Sequence, residues 1–356
     1  MSTFAVIDLS NLFARARYVV QGDAYDKAGM ALTIVFKSLR KMHRQFSVDH
    51  MVFAIDSGSW RYDVYPLYKS GRKADRLKQT PSEKEDNAIF FGALNSLTEY
   101  LETQTRCTVL RRQGIEGDDF VARFIQNHPN DQHVLISGDS DFVQLLAPNV
   151  KIYDGVEERL IAVDGVTNAK NERMRIVVLN KSGKAGKIDS KIVDQSFVPE
   201  PEWWKQALFF KIVRGDTGDS ILSSNPRVRY DGTSKEVTIS QAWEDRKAKG
   251  FHWNNFMLKE WDKPIGTDSA GEIIFQKTVV KDAFALNESL IDLTKQPTWV
   301  KEQMDETIRA SIHKPPVPKV GFAFLKFCKT HDLPNTIEVT DHAIYLNAPY
   351  PNQDVI

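Results

Sequence analysis

The stretch IEGDDFVARFI, residues 115–125, sets Glu116, Asp118 and Asp119 within four positions, directly before an apolar run with helical spacing. Acids at a helix start cap orphan amides and suit the macrodipole. Three like charges so close also repel one another unless something positive sits among them. The surrounding sequence decides between a plain helix cap and a cation site.

Working outward, short apolar runs recur on both sides. FAVID (4–8), MVFAID (51–56), TVLRRQ (108–113), HVLIS (133–137) and NVKIYD (149–154) read as strands, and helical patterns over 30–46, 88–105 and 119–128 lie between them. This alternation predicts an α/β fold with a central, mostly parallel sheet flanked by helices. In such sheets ligands bind in the crevice at the carboxyl ends of the strands. Residues 173–190 read as a hairpin around a Gly/Lys-rich turn, and 200–215 as an amphipathic helix ending at glycine. Beyond 220 the pattern is mainly helical, with helices near 239–261, 281–292, 299–312 and 318–331. The expected division is an α/β domain over 1–220 and a mainly helical domain over 221–356.

The acids fall where those strands end. Asp8 closes the first strand and Asp56 the second; Glu116, Asp118 and Asp119 follow the third; GDSD (138–141) brings Asp139 and Asp141 after the fourth. GDTGD (215–219) adds Asp216 and Asp219, three apart and on one face if that turn is helical. Taken singly, each is ordinary turn or cap chemistry. Five clusters converging on one sheet edge could not stay ionised without cations. Oxygen-only ligation selects Mg²⁺, with Mn²⁺ as a substitute, and so many carboxylates exceed the needs of one ion. Two ions in such a site serve phosphoryl transfer.

The gross composition is that of an ordinary folded, soluble protein: 356 residues, 42% hydrophobic, 10% aromatic, formal net charge zero. Any nucleic-acid affinity must therefore come from local patches. Cys107 and Cys328 stand far apart and outside any CxxC pairing, which fits a reducing compartment without disulfide or zinc frameworks. The N-terminus lacks a basic region before its short apolar run, and no stretch approaches the ~20 residues of a membrane span. The reading is a cytoplasmic protein.

In this order, Asp8, Asp56, EGDD (116–119), GDSD and GDTGD resemble the structure-specific 5′-nuclease or flap-endonuclease family, within it the phage ribonuclease H type. The resemblance is strong over 3–220 and weak over 280–332. It implies a PIN-like fold with a helical arch, placed at about 60–105, and hydrolysis at 5′ ends, flaps and RNA primers during DNA replication. By the same resemblance Asp8, Asp56, Glu116 and Asp118 serve a first metal with Asp119 nearby, and Asp139, Asp141, Asp216 and Asp219 a second. WRYDVYPLYKSGRKADRLK (60–78) stands in the arch's place; Lys69 and Arg72 match the family's basic residues that contact the scissile phosphate. Its other cations and its tyrosines offer phosphate contacts and stacking, so Arg61, Tyr68, Lys73 and Arg76 join the DNA-binding set.

The sequence also departs from the pattern. The family's Gly-rich helix–hairpin–helix and its potassium site are replaced by DSILSSNPRVRYDGTSK, where Arg227, Arg229 and Lys235 are left to hold duplex. The partners implied are branched or 5′-ended DNA, RNA–DNA hybrids, a single-strand-binding protein and a sliding clamp, with the enzyme acting as a monomer. A PIN-like ribonuclease shares the acids, and a non-catalytic binder of branched DNA remains a third reading. The length, the basic segment and the helical C-terminal region favour the first.

Overall fold

The computed structural model describes residues 1–19, 22–181, 183–226, 237–267, 272–312, 314–333 and 339–351. The chain forms two compact units that interleave in sequence. The first comprises Met1–Ser59, Gln79–Ala162 and Pro297–Ile356; the second comprises Trp60–Lys78 and Val163–Gln296. Compactness thus divides the chain differently from a single boundary at 220.

The first unit is built on strands β1 (Thr3–Asp8), β2 (His50–Ala54), β3 (Thr108–Leu110), β4 (Gln132–Ile136), β5 (Val150–Asp154) and β6 (Arg159–Ala162). Their spatial order is β3-β2-β1-β4-β5-β6. The first five run parallel, and β6 returns antiparallel to β5. β1 and β4 lie side by side although about 130 residues separate them, so the strand order reverses there. Their carboxyl ends frame the crevice where ligands bind in such sheets. The near-continuous apolar runs follow from burial on both faces. Ala5 and Ile7 pack with Phe36, Leu97, Tyr100 and Phe324, whereas Phe4 meets Phe124, His128, His133 and Tyr350.

Thr80 and Glu83 form a reciprocal capping box, with Pro81 in the first turn, and so start the long helix Pro81–Gln104. This helix buries Phe90, Leu94, Leu97 and Leu101 in the first unit's core. The helical pattern expected over 88–105 thus begins earlier, at Pro81. The C-terminal residues return to the same unit. Arg123 makes two 2.6 Å hydrogen bonds to the Asp305 carboxylate, joining helices Gly117–Asn127 and Thr298–Ile312. Lys314 donates to the Cys107 carbonyl at 2.6 Å.

In the second unit the expected helix at 239–261 is two short helices, Ile239–Asp245 and Phe251–Met257. An antiparallel pair that the helical reading missed follows, Glu260–Thr267 with Ile273–Val279. Pro264 and Gly266 sit at its irregularity, where a helix could not have continued. Helices Leu9–Val19 and Val339–Leu346 also escaped the sequence reading. Among the described residues no helix is long and apolar enough to cross a membrane.

Burial beneath the sheet pushes the His50 and His133 imidazoles down from 6.5 to about 4. Between those values the unfolded chain binds protons that the folded chain refuses. Their stability contribution is full above pH about 6.5 and drains as pH falls towards 4. His133→Gln is therefore expected to shrink the loss of urea midpoint between pH 7 and pH 5. An unchanged loss would show that His133 is not the group being protonated.

Candidate active site

In the first unit, each acid is positioned by the end of a strand or the head of a helix. Asp8 is buried at the end of β1, where its carboxylate accepts the Asn11 amide at 3.0 Å and the Ser137 hydroxyl at 3.4 Å. Asp56 follows β2, and its Oδ1 accepts the Gly117 amide at 2.8 Å at the start of helix Gly117–Asn127. Glu116 occupies that helix's N-cap, is buried, and accepts the Ser59 hydroxyl at 2.9 Å. Asp139 follows β4 and accepts the Asp141 amide at 3.0 Å. The capping reading of these acids is thus real, and it does not exhaust them.

Their electrostatics show the gathering. Burial, then the charges of Asp56 and Asp139, push the Asp8 carboxyl from 3.8 to about 8. Asp118 is driven well above the ordinary carboxylate range by burial and then by Asp8, Asp56, Asp139 and Asp141. Five acids from four chain segments therefore share one field at the sheet's carboxyl edge. Asp119 is fully buried in the same helical turn. Among the described residues no three His, Cys, Asp or Glu side chains form a ready-made metal ligand set. The donor chemistry nonetheless fits a hard divalent cation, because every acid offers carboxylate oxygen and the shared charge favours a cation among them.

The second unit carries its own acid pair. GDTGD is a turn rather than a helix, closed by a bridge between Asp216 and Ile221. Gly215 makes it possible: its φ is +74°, and a Cβ there would lie 2.3 Å from the Ile221 carbonyl oxygen. Asp216 pairs with Lys211 at 2.7 Å and accepts the Gly218 amide at 2.8 Å. Burial raises its carboxyl, but Lys211 and the turn amides outweigh that and hold it below its ordinary value. Asp219 accepts the Tyr68 hydroxyl at 3.1 Å and pairs with Arg72 at 2.8 Å.

The basic segment divides into anchors and a solvent-facing helix. Arg61 is only 2% exposed; its Nε donates to the Leu290 carbonyl at 2.8 Å and its guanidinium stacks on Trp60. Tyr68 is buried, with its hydroxyl on Asp219. Both side chains, expected among the DNA-binding residues, are engaged inside the second unit and hold the segment in place. Helix Ser70–Leu77, by contrast, buries nothing and presents Lys73 and Arg76 to solvent, while exposed Arg72 is tied to the GDTGD turn, its Nε donating to the Gly218 carbonyl at 3.2 Å. Lys69 caps that helix in the left-handed region at φ +53°, its ammonium 5.0 Å from the Tyr68 ring. Arg227, Arg229 and Lys235 lie outside the described residues.

Residues 3–173 match the 5′-3′ exonuclease N-terminal, resolvase-like domain. Over this stretch, a little under half of the chain, the sequence is similar to the 5′–3′ exonuclease family. A flap endonuclease Xni of Psychromonas ingrahamii is 29% identical over 164 residues, covering 43% of this chain and 57% of that protein. The Xni of Yersinia pseudotuberculosis is 28% identical over 162 residues, covering 43% of this chain and 56% of that protein. The chain spans a little over half the length of these relatives. Among solved structures, a zinc-bound 5′-exonuclease of phage T5 superimposes with a TM-score of 0.56 at 15% identity, covering 87% of this chain and 99% of that one. A T5 flap endonuclease in complex with DNA and metal ions gives 0.53 at 14% identity, covering 93% and 99%. Those likenesses establish the fold alone, a mostly parallel sheet flanked by helices.

The residues that set the acids carry weaker signals in the sequence. Ser59 and Ser137 aim hydroxyls at Glu116 and Asp8, and Ser10 accepts the Asp56 amide at 3.1 Å. Ser10 and Ser137 stand within two residues of a strand end, which is the signal that could have found them. Lys211 was also passed over; a lone lysine in the last turn of an amphipathic helix reads as dipole compensation.

Proposed function

We propose that the protein is a divalent-metal-dependent 5′-nuclease that hydrolyses phosphodiester bonds at 5′ ends, flaps and RNA primer ends during DNA replication. The observation that carries this reading is the shared field of Asp8, Asp56, Asp118, Asp139 and Asp141 at the carboxyl edge of the sheet. Magnesium is the ion such donors favour; Asp8, Asp56, Glu116 and Asp118 would hold it, with Asp139 and Asp141 beside them. When bound, it supplies activation of a water molecule and neutralisation of charge on the phosphate being cut. The second unit offers Asp216 and Asp219 for a second ion.

The chain's own groups do the remaining work. Ser59 and Ser137 fix the direction of the Glu116 and Asp8 carboxylates. Asp119 is fully buried in the same turn as Asp118 and stands nearby. Lys69 and Arg72 would meet the scissile phosphate, and Lys73 and Arg76 the strand that leads to it. A 5′-labelled DNA flap tests the reading: magnesium should yield short 5′ products from the flap junction, and EDTA none. Cleavage in EDTA, or of single-stranded RNA alone, would overturn it.

A further inference from the structure

A cavity of about 610 Å³ lies in the second unit, among helices Trp203–Arg214, Phe251–Met257 and Val280–Ile291. Its interior is apolar, made by Leu208, Phe209, Ile212, Trp253, Met257 and Phe284. Its rim is cationic, with Lys205, Arg246, Lys249 and Lys281. None of these residues has a part in the proposed nuclease chemistry.

The rim keeps an excess of positive charge. Glu202 alone answers three cations, Lys205, Arg246 and Lys247, each at 2.8 Å. Lys249 and Lys281 are both exposed and add two more ammoniums. Arg246 is fixed in place, its guanidinium stacked 3.2 Å from the Trp243 ring centre, donating to the Trp243 carbonyl at 2.7 Å and paired with Glu202. Leu258 extends the apolar wall outward and is 62% exposed.

We propose that this cavity docks a short acidic segment of a partner protein, one that carries a bulky apolar side chain beside its carboxylates. The carboxylates meet the rim, and the apolar side chain fills the interior. Such a chemistry uses both parts of the site at once, the carboxylates on the cations and the apolar side chain among Leu208, Ile212 and Met257. Glu288 and Asp292 also line the cavity, where their carboxylates can accept the backbone amides of a bound peptide.

The probe is a fluorescein-labelled peptide of three aspartates followed by leucine and phenylalanine, read by anisotropy and by Trp253 emission. Saturable binding is expected, weakened at least about tenfold when leucine and phenylalanine become serine, and as much again in Lys249→Glu/Lys281→Glu. Leu258→Ser should weaken it too. The double variant should cleave a flap as the parent does, because the rim is no part of that chemistry. No binding, or equal affinity for the serine peptide, would overturn the proposal. So would full displacement of the peptide by single-stranded DNA together with loss of DNA binding in the double variant, which would make the cavity a nucleic-acid site. The peptide readout needs no nuclease activity, so the two readings fail independently.

Discussion

Asp118→Asn is expected to lower flap cleavage on the order of 10³-fold or more, the scale lost with a preorganised charge-stabilising group, while DNA binding stays equal or tightens. The same variant should raise the melting temperature in EDTA. Both follow from one observation: Asp118 lies in a field made by Asp8, Asp56, Asp139 and Asp141, and its carboxyl is driven well above the ordinary range. A carboxylate so raised destabilises the metal-free fold. Between 3.8 and about 8, the span over which the Asp8 carboxyl is raised, the folded chain holds protons that the unfolded chain gives up, so stability falls as pH rises. Asparagine keeps the shape and removes one of the repelling charges. The gain in melting temperature should therefore be larger at pH 8 than at pH 6. Wild-type cleavage by the variant, or a lower melting temperature at both pH values, would remove these acids from the proposed chemistry.

What the sequence disclosed and withheld follows from range. Each strand ending in an acid is a local pattern, an apolar run of a few residues and then a carboxylate, and the register of β1 with β2 and β4 brings those ends together. The convergence of Asp8, Asp56, Asp118, Asp139 and Asp141 was legible for that reason. The return of residues 297–356 to the first unit was not, because Arg123 and Asp305 are 182 residues apart and nothing near either names the other. Arg61 misled in another way. Arginine is seldom fully buried unless paired, so a basic segment reads as surface throughout. Here one of its cations anchors the segment on Leu290, while the helix that carries Arg72, Lys73 and Arg76 buries nothing. The strands at Glu260–Thr267 and Ile273–Val279 were hidden by their setting between helical patterns, although Pro264 and Gly266 argued against a helix.

Lys69→Ala is expected to cut single-turnover cleavage by roughly 10²-fold, in line with losing one preorganised donor to a developing charge, with little change in DNA affinity. Lys69 is placed for this by its backbone. Its amide donates to the Asp219 carbonyl at 2.8 Å, its φ is +53°, and its ammonium lies over the Tyr68 ring. Alanine occupies the same backbone region at similar cost, so the variant tests the ammonium and not the turn. Interactions realised only in the transition state lower turnover more than affinity. Lys73 and Arg76 provide the contrast, since they sit on a helix that buries nothing. Lys73→Ala/Arg76→Ala should weaken DNA binding and flatten its dependence on salt, by about 0.9 in the log–log slope for each phosphate that is no longer neutralised. Saturating enzyme should then restore most of that double variant's rate. Full recovery of the Lys69 variant at saturating enzyme would make Lys69 a tether like the others, and the separation of chemistry from grip within this segment would be wrong.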